Sequence, residues 1–141
     1  MGEKMIRFAA NDDLNALLAL DRHISETELL NSTERRRVIV ATKSGRIVGW
    51  LRYGLFWDNT PFMNMLYVLE EERGKGLGSA LVEFREPELR ALGYNMALTS
   101  TLSDERGQFF YRQHGYRDCG AIVLPNEPAE IIFYKRLKTN E

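Results

Sequence analysis

The chain has 141 residues, 44% hydrophobic and 28% charged, an ordinary globular composition at a length that buries enough surface to fold alone as a single domain over residues 1–141. Nineteen Lys and Arg stand against 20 Asp and Glu, a net charge of −1, so no global positive field draws nucleic acid or an anionic membrane surface. Mean hydropathy is −0.35 and no apolar run approaches the roughly 20 residues of a membrane span; the single Cys119, the lack of a Cys and His cluster and the polar start from Met1 to Ala10 point to a cytoplasmic protein without a structural metal.

In chain order, Met5 to Phe8 predicts a short strand, and Asn11, Asp12 and Asp13 offer caps for a helix with Leu14, Leu17, Leu18 and Asp21 at helical spacing. A second helix is expected over Glu26 to Asn31. The β-branched run Val38 to Ala41 predicts a strand, joined through the turn Lys43-Ser44-Gly45-Arg46 to another over Ile47 to Phe56. After a turn at Asp58 to Pro61, Phe62 to Val68 is apolar on both alternations except for Asn64, which predicts a central strand covered on both faces, with Asn64 in the core. From Leu77 a helix begins that Pro87 is expected to bend or interrupt before the stop at Gly93. Asn95 to Thr101 predicts a strand, Arg106 to His114 a short helix ended by Gly115, and Tyr116 to Leu124 and Ala129 to Tyr134 two late strands. The fold class is α/β: a mixed sheet with helices on its faces.

The segment from Arg73 to Ser79 lies between a buried strand and a helix. Gly74, Gly76 and Gly78 leave main-chain amides unobstructed at a helix N-terminus, where unpaired N–H groups and the positive dipole end favour phosphate, and Arg73 and Lys75 add cationic donors. The spacing fits neither the P-loop nor the dinucleotide fingerprint. The same residues also read as an ordinary glycine-rich turn with solvated charges.

Arg73, Gly76 and Gly78 satisfy [Q/R]-x-x-G-x-[G/A], which resembles the acyl-CoA signature of the GNAT superfamily of N-acetyltransferases. Ile6, Arg7 and Ala9 before an Asp-led helix, Val48-Gly49-Trp50, the spacing of Gly107, Tyr111, Gly115 and Tyr116, and the closing Glu130 to Leu137 resemble further parts of that family. Three positions depart from its pattern: Glu70 where Pro is common, Asp104 where Asn often contacts the cofactor, and Gly107 where Ala is usual. The Asp104 carboxylate can accept but not donate a hydrogen bond.

The resemblance implies a central mixed, mostly antiparallel sheet of six to seven strands with about four helices. It implies acetyl-CoA as cosubstrate, with Leu66, Tyr67 and Val68 holding pantetheine through main-chain atoms, Arg73, Gly74, Lys75, Gly76, Leu77, Gly78 and Ser79 holding the pyrophosphate, and Asp104 nearby. It implies direct attack of an amine in a ternary complex, with Tyr111 protonating the departing thiolate. Cys119 is not needed as a nucleophile and reads as a small buried hydrophobe. No general base is identifiable. The acceptor is expected to be a primary amine of a small molecule or peptide; acidic residues Glu26, Glu28, Asp58, Glu127 and Glu130 lie in loops that border the acceptor in the resembled family, and also read as solvated surface. Trp50, Tyr53, Phe56 and Trp57 pack the sheet, line an acceptor pocket or form a homodimer contact. His23 and His114 read as structural. The alternatives are a non-catalytic acyl-CoA sensor of the same fold and an unrelated phosphate- or partner-binding domain.

Overall fold

The computed structural model describes residues 2–137; Met1 and Lys138–Glu141, the ends of the expected domain span, lie outside the described residues. Seven strands, β1 (Lys4–Phe8), β2 (Val38–Lys43), β3 (Arg46–Phe56), β4 (Thr60–Val68), β5 (Met96–Leu102), β6 (Arg117–Ile122) and β7 (Glu130–Arg136), alternate with helices α1 (Leu14–Leu20), α2 (Glu26–Glu34), α3 (Leu77–Ala91) and α4 (Gly107–Gln113). The strands are hydrogen-bonded in the order β1-β2-β3-β4-β5-β7-β6. The β4/β5 pair is parallel, whereas β1/β2, β2/β3, β5/β7 and β6/β7 are antiparallel. This is the mixed sheet that the pattern of elements predicts, and the mostly antiparallel one that the resemblance implies.

The chain forms two compact units, one of Met1–Gly54 and Met65–Arg85, the other of Leu55–Asn64 and Glu86–Glu141. In the first, the turn between β2 and β3 holds Ser44 at φ 54° and Gly45 at φ 80°, the left-handed pair that matches the twist of a tight hairpin. Its core joins Leu17 of α1 and Leu29 of α2 to Val38, Val40, Ile47 and Trp50. Each such fully buried aliphatic side chain contributes about 1.5–3 kcal/mol. Gly49 is a close-approach position: a Cβ there would stand 3.1 Å from the Tyr67 carbonyl and 3.5 Å from Leu81. In the second unit, β5 and β7 pair over seven residues from Met96↔Arg136 to Leu102↔Glu130, and Ala97, Leu98, Phe133 and Leu137 are buried.

Several expectations change. Asn11, Asp12 and Asp13 form a 3₁₀ turn, and Asp13 makes no forward side-chain cap on α1. Its carboxylate accepts from Ala10 N–H at 2.8 Å and pairs with Arg7 at 2.7 Å. Helix α3 runs unbroken through Pro87; Pro87 and Glu83, whose carbonyl loses its partner, are both exposed, so water can meet the orphaned group. Asn64 is exposed and so is Tyr67, so β4 is not covered along its whole length. Cys119 is exposed rather than buried, because β6 is the sheet edge and its register shifts between Asp118 and Gly120. Among the described residues no helix is long and apolar enough to cross a membrane, and no group of three His, Cys, Asp or Glu could hold a metal ion.

Candidate functional site

Strand β4 ends at Val68, and the chain is anchored at once by the Leu69 N–H, which donates to the Val48 carbonyl at 2.8 Å. A 3₁₀ turn over Glu70–Glu72 follows where a proline would have been expected. Its last residue is the pivot of the loop. Glu72 is buried, and its carboxylate accepts from Lys43 at 3.1 Å and from Lys75 at 3.3 Å. The Lys43 hydrogen bond, with smaller help from Lys75, outweighs desolvation and holds the Glu72 carboxyl below its ordinary range. Lys75 thus shares the Glu72 carboxylate with Lys43.

Arg73 donates from Nε to the Val68 carbonyl at 2.8 Å, and its guanidinium carbon lies 5.0 Å from the centroid of the Tyr67 ring. Tyr67 in turn stacks at 5.1 Å on Trp50. These contacts fix the direction in which the loop leaves the strand while keeping Arg73, Gly74, Lys75 and Gly76 exposed. Gly74 at φ 77° and Gly76 at φ 86° occupy the left-handed region, which a side chain tolerates poorly. Nothing lies within 4 Å of where a Cβ would be at either position, so glycine serves the backbone shape there and the space beside it is open.

The first intrahelical bond of α3 runs from Ala80 N–H to Gly76 O at 3.0 Å. The amides of Leu77 and Gly78 precede it and have no intrahelical acceptor. Leu77 is buried and anchors the first turn, while Gly78 and Ser79 are half-buried. An open, positively polarised helix start of this kind suits an anion of pyrophosphate size. Upstream, Leu66 and Val68 are half-buried and Tyr67 is exposed, so all the residues expected to touch pantetheine and pyrophosphate fall within the first unit.

Tyr111 and Asp104 belong to the second unit. Helix α4 closes in a Schellman arrangement: Tyr116 N–H donates to Tyr111 O at 3.0 Å and Gly115 N–H to Arg112 O at 3.2 Å, with Gly115 at φ 91°. The same turn brings the Tyr116 ring within 5.7 Å of the Tyr111 ring, and Phe110 and Phe133 complete the packing at 5.5 and 5.8 Å. Tyr111 is 8% exposed, so one side chain is held in place by three rings. A Cβ at Gly107 would stand 3.4 Å from Thr101 Oγ1, an ordinary van der Waals contact. Asp104 is exposed just ahead of α4; the neighbouring Glu105 is the residue that secures the turn, accepting from Thr101 Oγ1 at 3.0 Å and Leu102 N–H at 3.2 Å.

Two clusters escaped the sequence reading. Asp21, 2% exposed, accepts from Arg52 Nε at 2.7 Å, Trp50 Nε1 at 3.0 Å and His23 N–H at 3.0 Å. Burial pushes its carboxyl upward, but the Arg52 hydrogen bond, then His23 N–H and Trp50, hold it below the usual carboxylate range. The signal was an aspartate ending the apolar stripe of α1. Glu72 had no such signal within a run of three glutamates. Cys119 is no activated nucleophile, since desolvation and the Asp118 charge push its thiol up. His114 has the structural role expected, with Nδ1 2.9 Å from Phe110 O and its ring 4.1 Å from that of Phe110. Trp50 and Tyr53 are buried, whereas Phe56 and Trp57 are exposed.

The overall topology recurs in solved structures. The ribosomal-protein-S18-alanine N-acetyltransferase of Escherichia coli superposes with a TM-score of 0.80 at 16% identity, covering 99% of this chain and 97% of that one. The PaiA N-acetyltransferase of Thermoplasma acidophilum, solved in complex with coenzyme A, gives 0.78 at 17% identity, covering 95% and 99%. In sequence, an uncharacterized N-acetyltransferase of Chlorobaculum tepidum, CT2212, is 29% identical over 92 residues, which is 65% of this chain and 57% of that protein's length. Residues 6–116, from β1 through the Tyr111 helix to Tyr116, match the family model described as Acetyltransferase (GNAT) family, and the chain belongs to that family.

Proposed function

We propose that this protein is an acetyl-CoA-dependent N-acetyltransferase acting on a primary amine of a small molecule or peptide, with residues 1–141 as one functional domain. The observation that carries the reading is the loop from Arg73 to Gly78, in which Gly74 and Gly76 have positive φ and nothing within 4 Å of a Cβ position, leading straight into the first turn of α3. Such a cradle suits the pyrophosphate of CoA, with Arg73, Lys75 and Ser79 at its edge. The relative solved with coenzyme A has the same fold, and the ladder between β4 and β5 contains just Phe62↔Leu98 and Met63↔Thr99. In this reading the pantetheine arm binds along Leu66, Tyr67 and Val68 through main-chain atoms, as an added strand. Asp104 serves as an acceptor only.

The reaction is direct: the neutral amine attacks the thioester carbonyl, an N–C bond forms, the C–S bond breaks, and the amine proton leaves to solvent. Tyr111 gives its hydroxyl proton to the departing thiolate and is reprotonated from water. Rigid packing of its ring suits a donor that must meet the sulfur in one geometry.

Thermal shift with acetyl-CoA, CoA, ATP and NAD tests the ligand, since a molecule that binds the folded state alone raises apparent stability. Stabilisation by acetyl-CoA and CoA above ATP and NAD is expected. Free-thiol release with an amine panel then tests turnover; equal response to all four nucleotides would sink the reading, and binding with no turnover on any amine would mark an acyl-CoA sensor.

A further inference from the structure

Alternation along β4 decides which way its main-chain groups face. The Leu69 N–H donates to the Val48 carbonyl of β3 at 2.8 Å, and a Cβ built on Gly49 of β3 would stand 3.1 Å from the Tyr67 carbonyl. The main-chain groups of Tyr67 and Leu69 therefore face β3, and those of Leu66 and Val68 face outward from it. The Val68 carbonyl is thus an acceptor that β3 does not use, on the side where an added strand would bind.

Arg73 takes that acceptor. Its Nε donates to the Val68 carbonyl at 2.8 Å while the guanidinium carbon lies 5.0 Å from the Tyr67 ring centroid, and Tyr67 is itself stacked at 5.1 Å on Trp50. Among the described residues no carboxylate pairs with Arg73, whereas Lys43 and Lys75 share Glu72. Arg73 is also exposed, so it is the cation of this loop that is able to change partner. A guanidinium grips a phosphate through two parallel hydrogen bonds between opposite charges, and that pairing outcompetes a single bond to a neutral carbonyl.

We infer that Arg73 is a latch on the donor site. Seated on Val68 and Tyr67 it stands in the way of a pantetheine amide, and a pyrophosphate at the start of α3 draws it off. The inference rests on the acetyltransferase reading and deepens it, because the latch selects thioesters of CoA over thioesters of pantetheine alone. One side chain serves both places, so the two halves of the donor raise each other's affinity by the same factor in either direction.

Acetyl-CoA, the phosphate-free S-acetyl-pantetheine and inorganic pyrophosphate serve as probes in NMR titrations. Arg73→Ala should bind S-acetyl-pantetheine about three- to tenfold more tightly, because the carbonyl is freed, and acetyl-CoA about threefold or more weakly, because the lost phosphate contact is the larger effect. Tyr67→Leu removes the ring under the guanidinium but keeps Arg73, and should tighten S-acetyl-pantetheine by about two- to threefold. Saturating pyrophosphate should tighten S-acetyl-pantetheine in the wild type, leave Arg73→Ala unmoved, and shift the Arg73 Nε–H resonance. Opposite signs for the two donors in Arg73→Ala support the latch. If the wild type binds acetyl-CoA but Arg73→Ala binds S-acetyl-pantetheine no more tightly, or pyrophosphate leaves the Arg73 Nε–H signal in place, the latch is overturned and the acetyltransferase reading stands. A wild type that binds neither acetyl-CoA nor S-acetyl-pantetheine overturns that reading, and the latch with it.

Discussion

The loop heading α3 and the end of α4 offer two different solutions to placing chemistry on a scaffold. At the loop the working groups we propose are main-chain amides, and the surroundings are open: Gly74 and Gly76 have no neighbour where a Cβ would be, and Arg73 is hydrogen-bonded to Val68 O and Lys75 to Glu72. At α4 the working group we propose is one side chain, Tyr111, enclosed between Phe110, Tyr116 and Phe133. Binding through amides needs space and a rigid backbone; proton donation from a phenol needs a rigid side chain. Substitutions that add atoms should harm the first region, and those that remove one atom should harm the second.

The largest expected effect is at Tyr111. Tyr111→Phe keeps the ring and its three aromatic contacts and removes the hydroxyl, so kcat should fall by about 10²- to 10⁴-fold, the range typical of general acid catalysis. Acetyl-CoA affinity by calorimetry should hardly move. A near-wild-type kcat, where chemistry limits the rate, would reduce Tyr111 to packing and dissolve the contrast from its second side.

Next in size is the buried ion pair beneath the first unit's sheet. Asp21→Asn leaves the Arg52 guanidinium buried without its counter-charge, at a cost of about 3 kcal/mol, on the order of 10 °C in melting temperature for a chain this long. If the cradle depends on framework rather than on any one charge, acetyl-CoA affinity below the transition should be unchanged. The sign of the pH effect follows from Asp21 being lowered in the folded state. Its stabilisation is present above the unfolded carboxylate value of about 3.9 and is lost as pH falls through the lower folded value. Wild-type melting temperature should therefore drop below about pH 4 with a component missing in Asp21→Asn, and superimposable pH profiles would show that the pair does not report on folding.

How much of this was legible beforehand depends on how far apart the partners lie along the chain. The β2–β3 turn was readable because Ser44 and Gly45 carry their conformational preference locally, and the α4 end was readable because Gly115 and Tyr116 lie within one turn of Tyr111. The glycine loop was readable for the same reason. Lys43–Glu72 and Asp21–Arg52 join residues 29 and 31 apart, and nothing local distinguishes Glu72 from Glu70 or Glu71. That α3 continues through Pro87 and that Cys119 is exposed were not legible, because each depends on which face of an element meets solvent.

At the cradle the contrast predicts a binding defect with little loss of fold. Gly78 is half-buried in the first turn of α3, and Gly78→Val places a branched side chain beside amides proposed to face pyrophosphate. Acetyl-CoA affinity should weaken by about tenfold or more, equivalent to roughly 1.4 kcal/mol, while circular dichroism stays native. Unchanged affinity in a folded variant would remove the cradle from the site.

The smallest effect separates backbone shape from space at the same loop. Gly76 stands at φ 86° with nothing within 4 Å of a Cβ position, so Gly76→Ala introduces no clash but asks alanine to hold a left-handed backbone, at about 1 kcal/mol. Two results are distinguishable. If the loop keeps its path, stability drops by that amount and acetyl-CoA affinity weakens less than in Gly78→Val, because a single methyl adds strain and little bulk. If the loop relaxes to negative φ, the strain disappears, the melting temperature recovers, and the amides turn away, so affinity falls as far as in Gly78→Val with stability intact. Parallel thermal-shift and calorimetric measurements on the two variants read these outcomes directly, and a Gly76→Ala protein with both stability and affinity unchanged would mean that the left-handed backbone at Gly76 is not required for the cradle.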